Sequence, residues 1–192
     1  MGHDHKHGHG HHGGHAHGKG TPDHGPSPAR EHRSDAPTQV SCFVLTCSDS
    51  RAHADDVSGR ALREALEAAG HSVVGQTVVR DEPHQIRAAV ERGIEGGARA
   101  VLITGGTGIT RRDQTVEAIR PLLEKEIPGF GELFRMLSFQ EIGSAAWLSR
   151  ALAGTSRGVL IFVLPGSPNA VRLALDRLIL PELGHAVREL SR

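Results

Sequence analysis

Four short stretches, residues 40–46, 73–79, 100–104 and 158–164, are apolar along their length rather than at every second position. A strand with one wet face alternates, whereas a strand covered on both faces does not. Between these stretches the apolar residues recur at helical spacing. Ala61, Leu62, Ala65, Leu66 and Ala69 line one face of a helix over 58–69, with Gly70 as its stop. Ile86, Ala89, Val90 and Ile94 line another, opened by Asp81 as cap and Pro83 in its first turn. Helices are also expected over 115–123, 132–139 and 144–152, with a break at Pro128, Gly129, Phe130 and Gly131. A last long helix, 170–190, bends near Pro181. Buried strands alternating with amphipathic helices predict an α/β fold with a mainly parallel sheet covered on both faces.

The first 38 residues are different. Large apolar side chains are almost absent, and His, Gly, Pro and charged residues dominate. Such a segment cannot bury enough surface to offset the entropy of ordering. It is expected to be a disordered tail, 1–38, ahead of one α/β domain, 39–192. His3, His5, His7, His9, His11, His12, His15 and His17 lie mostly one residue apart. Close-set imidazoles bind nickel, copper or zinc together. The plain alternative is an appended tag, but only His11 and His12 are adjacent, which is not tag spacing.

Lys plus Arg equals Asp plus Glu, 22 each, and aromatics are 3% with no Tyr. Neither a basic surface nor a stacking platform for nucleic acid is present. No apolar run reaches the roughly 18 residues of a membrane span, and the N-terminus lacks the apolar core of a secretory signal. The expected location is the cytoplasm. Cys42 and Cys47, five apart on one strand, face opposite ways, which excludes a mutual disulfide.

In parallel sheets ligands bind beyond the C-terminal ends of the strands. Three polar loops leave such ends, at 47–56, 105–113 and 165–169, and Arg80 and Asp81 follow a fourth. Thr104, Gly105, Gly106, Thr107 and Gly108 open the second of these. Without Cβ atoms, consecutive backbone N–H groups can converge on an anion, and Thr107 and Thr110 add hydroxyls. The turn is neither a dinucleotide fingerprint nor a P-loop, since no third Gly follows at the required place and no Gly-Lys-Ser/Thr follows. A flexible strand-to-helix turn is the alternative. Asp81 and Asp113 either cap helices or converge on one magnesium ion beside bound phosphates. Ser48, Asp49 and Arg51 offer further polar groups on the first loop, and Pro165, Gly166 and Ser167 form a rigid turn. Trp147 is expected in the core, and His71, His84 and His185 on the surface.

These motifs in this order resemble the MoaB/MogA family of molybdenum-cofactor biosynthesis proteins. The carrying residues are 46–51, Asp56-Val57-Ser58-Gly59, the run from Gly105 to Asp113 with Thr115 and Glu117, Pro128 to Glu132, 144–150, and 164–168. The His-rich tail lies outside that pattern. The resemblance implies a three-layer α/β/α sandwich, a trimer or hexamer, and adenylylation of molybdopterin with Mg2+ and ATP. The product would pass to a molybdate-insertion protein. It implies that Asp81 and Asp113 are the functional aspartates holding Mg2+. Ser48, Arg51, Glu132 and Ser167 are expected to contact nucleotide or pterin. Two alternatives stand beside it: a molybdopterin-binding protein without turnover, and a nickel or zinc store built around the tail.

Overall fold

The computed structural model describes residues 1–2, 37–49 and 56–192. The tail histidines and Arg51 lie outside the described residues. A six-stranded sheet in the order β2-β1-β3-β6-β5-β4 forms the centre. Its parallel part comprises β1 (Ser41–Cys47), β2 (Ser72–Val79), β3 (Ala100–Thr104) and β6 (Val159–Leu164). These are the four apolar runs. The strand parity sorts their side chains into two cores. Cys42, Val44, Ala100, Leu102, Leu160, Phe162 and Leu164 face one way. Phe43, Leu45, Cys47, Val101, Ile103, Val159, Ile161 and Val163 face the other.

Helices cover both faces. On the first core lie α1 (Val57–Ala68), α4 (Pro128–Ile142), α5 (Pro168–Ala174) and α6 (Leu183–Leu190). On the second lie α2 (Pro83–Glu95) and α3 (Thr115–Ile119). This is the three-layer α/β/α sandwich. Cys42 and Cys47 are free and lie on opposite faces, as their spacing requires. Burial pushes both thiols up to about 12, so neither is a nucleophile at neutral pH.

The antiparallel edge departs from expectation. No helix runs from 144 to 152. A 3₁₀ turn, Gly143–Leu148, leads into strand β5 (Leu152–Ser156), and β4 (Lys125–Glu126) pairs with it. Arg157 and Gly158, both at positive φ, make the hairpin into β6. Pro128 to Gly131 is not a break but the first turn of α4, where Pro lacks only an N–H that no helix start uses. Gly131 is there for space: a Cβ on it would lie 2.7 Å from the Ala151 carbonyl. The final helical stretch breaks as expected, with a π turn at Leu175–Ile179 before Pro181. Trp147 is not core but 74% exposed, as Met136, Phe139 and Ile142 are also exposed. Of the histidines, His84 is exposed, whereas His71 and His185 are half-buried. No helix of the described residues is long and apolar enough to cross a membrane.

Candidate functional site

Register places the site. Thr46 of β1 pairs with Thr104 of β3, which pairs with Leu164 of β6, so three strands end level. Their loops emerge side by side. The Thr104 hydroxyl donates to the Pro165 carbonyl (2.9 Å) and Gly105 N–H to the Leu164 carbonyl (3.1 Å), which locks the glycine turn to the proline turn. A third tie comes from α1, where the Ser58 hydroxyl donates to the Gly166 carbonyl (2.8 Å). Asp56, fully buried, caps α1 through Gly59 N–H and accepts from the Thr46 hydroxyl, both at 2.8 Å. A Cβ on Gly59 would collide with that carboxylate. The Asp-x-Ser-Gly motif therefore builds the floor of the site.

The glycines of the turn have separate reasons. Gly105, at φ +99°, would put a Cβ 2.1 Å from the Cys47 carbonyl. Gly106, at φ +62°, would put one 2.2 Å from both Asp81 Oδ2 and Thr115 Oγ1. At Gly108 the obstruction would be Asp113 Oδ2, at 2.7 Å. Packing alone thus explains glycines that a phosphate cradle was expected to explain. The same closeness sets both carboxylates against one turn. No described residue accepts from the N–H of Gly106 or Thr107, and these two donors are the ones a bound anion can use.

Neither aspartate caps in the expected way. The cap position of α2 is Glu82, with no side-chain hydrogen bond. Asp81 instead crosses to the glycine loop, accepting from Gln114 N–H and the Thr115 hydroxyl, both at 3.2 Å. Asp113 turns back into its own loop, accepting from the Thr110 N–H (2.9 Å) and hydroxyl (2.6 Å). Their charges respond oppositely. Burial, followed by the negative charges of Asp113 and Asp49, raises the Asp81 carboxyl above its ordinary value against its own hydrogen bonds. Burial would raise Asp113 too, but hydrogen bonds from Thr110 and Gly108 and the charge of Arg150 bring it below.

Asp49 joins the site from β1. It accepts from Asp81 N–H (3.3 Å) and pairs with Arg112 at 2.9 and 2.5 Å. Glu82 meets the same guanidinium at 3.5 Å. Ser48 is tied to β2 through its N–H and the Val79 carbonyl (2.9 Å).

A cavity of about 480 Å³ is lined by Gly105 to Gly108, Asp113, Pro165 to Ser167 and residues of α4 and the following turn. Ser167 also caps α5. Glu132 is not in this cavity. It lines a neighbouring one of about 420 Å³ with Arg120, Arg135, Trp147 and Arg150. Arg150 was read only as part of the segment 144–150, with no role of its own. Its guanidinium reaches the Thr107 and Asp113 carbonyls, and only tertiary structure shows that. Among the described residues no cluster of three or more His, Cys, Asp or Glu could hold a metal ion.

The family model described as "Probable molybdopterin binding domain" matches residues 43–185. The chain belongs to the MoaB/MogA family. Molybdenum cofactor biosynthesis protein B of Halalkalibacterium halodurans is 52% identical over 168 residues, covering 84% of this chain and 96% of that protein. The Bacillus subtilis protein of the same name is 48% identical over 165 residues, covering 85% and 97%. Among solved structures, the tungsten cofactor synthesizing protein MoaB from Pyrococcus furiosus superposes with a TM-score of 0.77 at 40% identity, over 82% of this chain and 100% of that one. The MoaB/MogA resemblance read from the ordered motifs is thus confirmed.

Proposed function

We propose that this protein acts in molybdenum cofactor biosynthesis by transferring the AMP part of ATP to the terminal phosphate of molybdopterin. The observation that carries this is the convergence of two carboxylates, Asp81 and Asp113, on a turn with two available N–H donors, above a cavity of substrate size. The curated relatives bear the name of that pathway.

In the reaction a phosphate oxygen of molybdopterin bonds to the α-phosphorus of ATP. The α–β phosphoanhydride bond breaks, and pyrophosphate leaves with the electron pair. The attacking phosphate monoester is already ionised near neutral pH, so no activated Ser or Cys is required. What is required is alignment and neutralisation of two anions. Burial, and after it the charges of Asp113 and Asp49, raises the Asp81 carboxyl, and a hard divalent cation would relieve that cost beside bound phosphates. Asp81 and Asp113 would hold Mg2+, which when bound supplies charge neutralisation at the transferring phosphoryl group. The N–H groups of Gly106 and Thr107 orient a phosphate. The apolar wall from α4 and the Pro165 turn excludes water. Ser48, Asp49 and Ser167 stand at the rim, where they restrict how the ligands enter.

A homo-oligomer, trimer or hexamer, belongs to the same proposal. Leu133, Met136, Phe139, Ile142 and Trp147 are exposed large apolar side chains of α4 and the turn after it, which contact between copies would cover. Sedimentation equilibrium tests it. For the reaction, purified protein is incubated with ATP, Mg2+ and molybdopterin. Adenylylated molybdopterin and pyrophosphate in equal amounts are expected. Tight molybdopterin binding with no product would leave a binding protein in place of an enzyme.

A further inference from the structure

Arg150 sits between the 3₁₀ turn and β5, with its side chain 29% exposed. Its Nε donates to the Thr107 carbonyl (3.3 Å). One terminal nitrogen donates to the Asp113 carbonyl (3.2 Å) and to Glu117 Oε2 (3.3 Å). The other pairs with Glu117 Oε1. Thr107 and Asp113 bracket the segment 108–112, whose residues 109–112 are exposed. One guanidinium therefore fastens both ends of the exposed part of the glycine loop and anchors them to α3 through Glu117. It lines the neighbouring cavity and is not part of the wall of the proposed ligand cavity.

We propose that Arg150 is a positioning residue for the transfer reaction. It holds the Thr107 backbone and the Asp113 backbone in fixed relation without touching either substrate. This rests on the adenylyl-transfer reading. The planar fork with several donors is what the task needs, since three acceptors lie in different directions around one head group. Lysine, a single flexible charge, can keep the Glu117 pair but cannot hold both carbonyls in a fixed plane. Glu117 keeps the guanidinium charge compensated, and its own carboxyl is held below its ordinary value by its hydrogen bond and charge contact with Arg150.

The test compares wild type, Arg150→Lys and Arg150→Met as full-length protein. Amide hydrogen exchange followed by mass spectrometry needs no substrate. In Arg150→Met, exchange over 106–113 is expected to rise about tenfold or more, with β3 and α4 unchanged. In the transfer assay kcat is expected to fall about tenfold to a hundredfold while KM for ATP stays within about twofold. Arg150→Lys is expected to lie between, and it carries the test if Arg150→Met does not fold. Unchanged exchange over 106–113 would overturn the proposal. So would faster exchange with kcat unaltered, because the contact would then be structural only. If wild type forms no adenylylated product, the function reading fails, and exchange alone decides whether Arg150 holds the loop.

Discussion

The floor and the rim of the site are built from different chemistry. The floor is a set of buried hydroxyl and carboxylate hydrogen bonds: Thr46 to Asp56, Ser58 to Gly166, Thr104 to Pro165. Asp56, Thr46, Ser58 and Thr104 are all essentially inaccessible. The rim is a set of charges in contact with water: Asp49 with Arg112, Arg112 with Glu82, Asp113 with Thr110. Buried polar pairs cost stability when broken, because the partner left behind cannot reach water. Exposed pairs cost little, because water replaces the partner. Asp81 belongs to both sets: it is 7% exposed, yet its neighbours are the rim carboxylates. Stability and activity should therefore separate along this line, and each substitution below either breaks the separation or narrows it.

The largest effect is expected at Asp113. Asp113→Asn keeps an oxygen for Thr110 but removes the charge, so the fold should persist. Turnover should fall about a hundredfold or more, as for loss of a group that stabilises transition-state charge. Asp81→Asn should lose activity on the same scale with a different stability signature. The Asp81 carboxyl is raised in the folded state, so its contribution is fully present below the ordinary Asp value and is lost as pH rises through the raised one. At pH 7 without Mg2+ the neutral Asn variant should melt no lower than wild type. Comparable turnover in either variant, measured by product formation under saturating ATP, removes that aspartate from the reaction.

Asp56→Ala reverses the pattern. It removes the α1 cap and strands the buried Thr46 hydroxyl, for a combined loss of about 2–4 kcal/mol. Denaturant unfolding should show that loss, and turnover should fall only as far as the folded fraction falls. A stable Asp56→Ala protein that has lost turnover would break the distinction between floor and rim.

How much of this was legible in the sequence follows from the same physics. β1, β3 and β6 were readable because burial on both faces makes a run apolar, a purely local signal, whereas β2, at the sheet edge and only half-buried, was legible from its β-branched valines. β5 was not: Leu-Ala-Gly-Thr-Ser is neither apolar throughout nor alternating, and its burial comes from tertiary neighbours, among them β6, β4 and α4. Pro128 and Gly131 looked like punctuation because their roles, a helix start and a close approach by Ala151, depend on distant backbone. The spacing of Asp81 and Asp113 at two strand ends allowed convergence, and the glycine loop brought them together. Asp56 was quoted only as part of a motif, since nothing in Asp-Val-Ser-Gly says that its carboxylate will meet Thr46. Arg150, quoted only within the segment 144–150, had no readable role for the same reason. Trp147 was misplaced because helical spacing cannot tell a buried aromatic from an exposed one.

The smallest effect within the domain is expected at the rim pair. Arg112 is well exposed, and its hydrogen bonds hold the Asp49 carboxyl below its ordinary value. Such a group stabilises the fold above the ordinary Asp value and ceases to do so as pH falls through the lowered one. Arg112→Ala should then change turnover at most about fivefold at pH 7. The difference from wild type should shrink in high salt, because exposed pairs are screened. Turnover measured at low and high ionic strength decides it. A loss as large as that at Asp113, indifferent to salt, would mean that Arg112 meets the transferring phosphate itself, and the rim would then be part of the reaction rather than its frame.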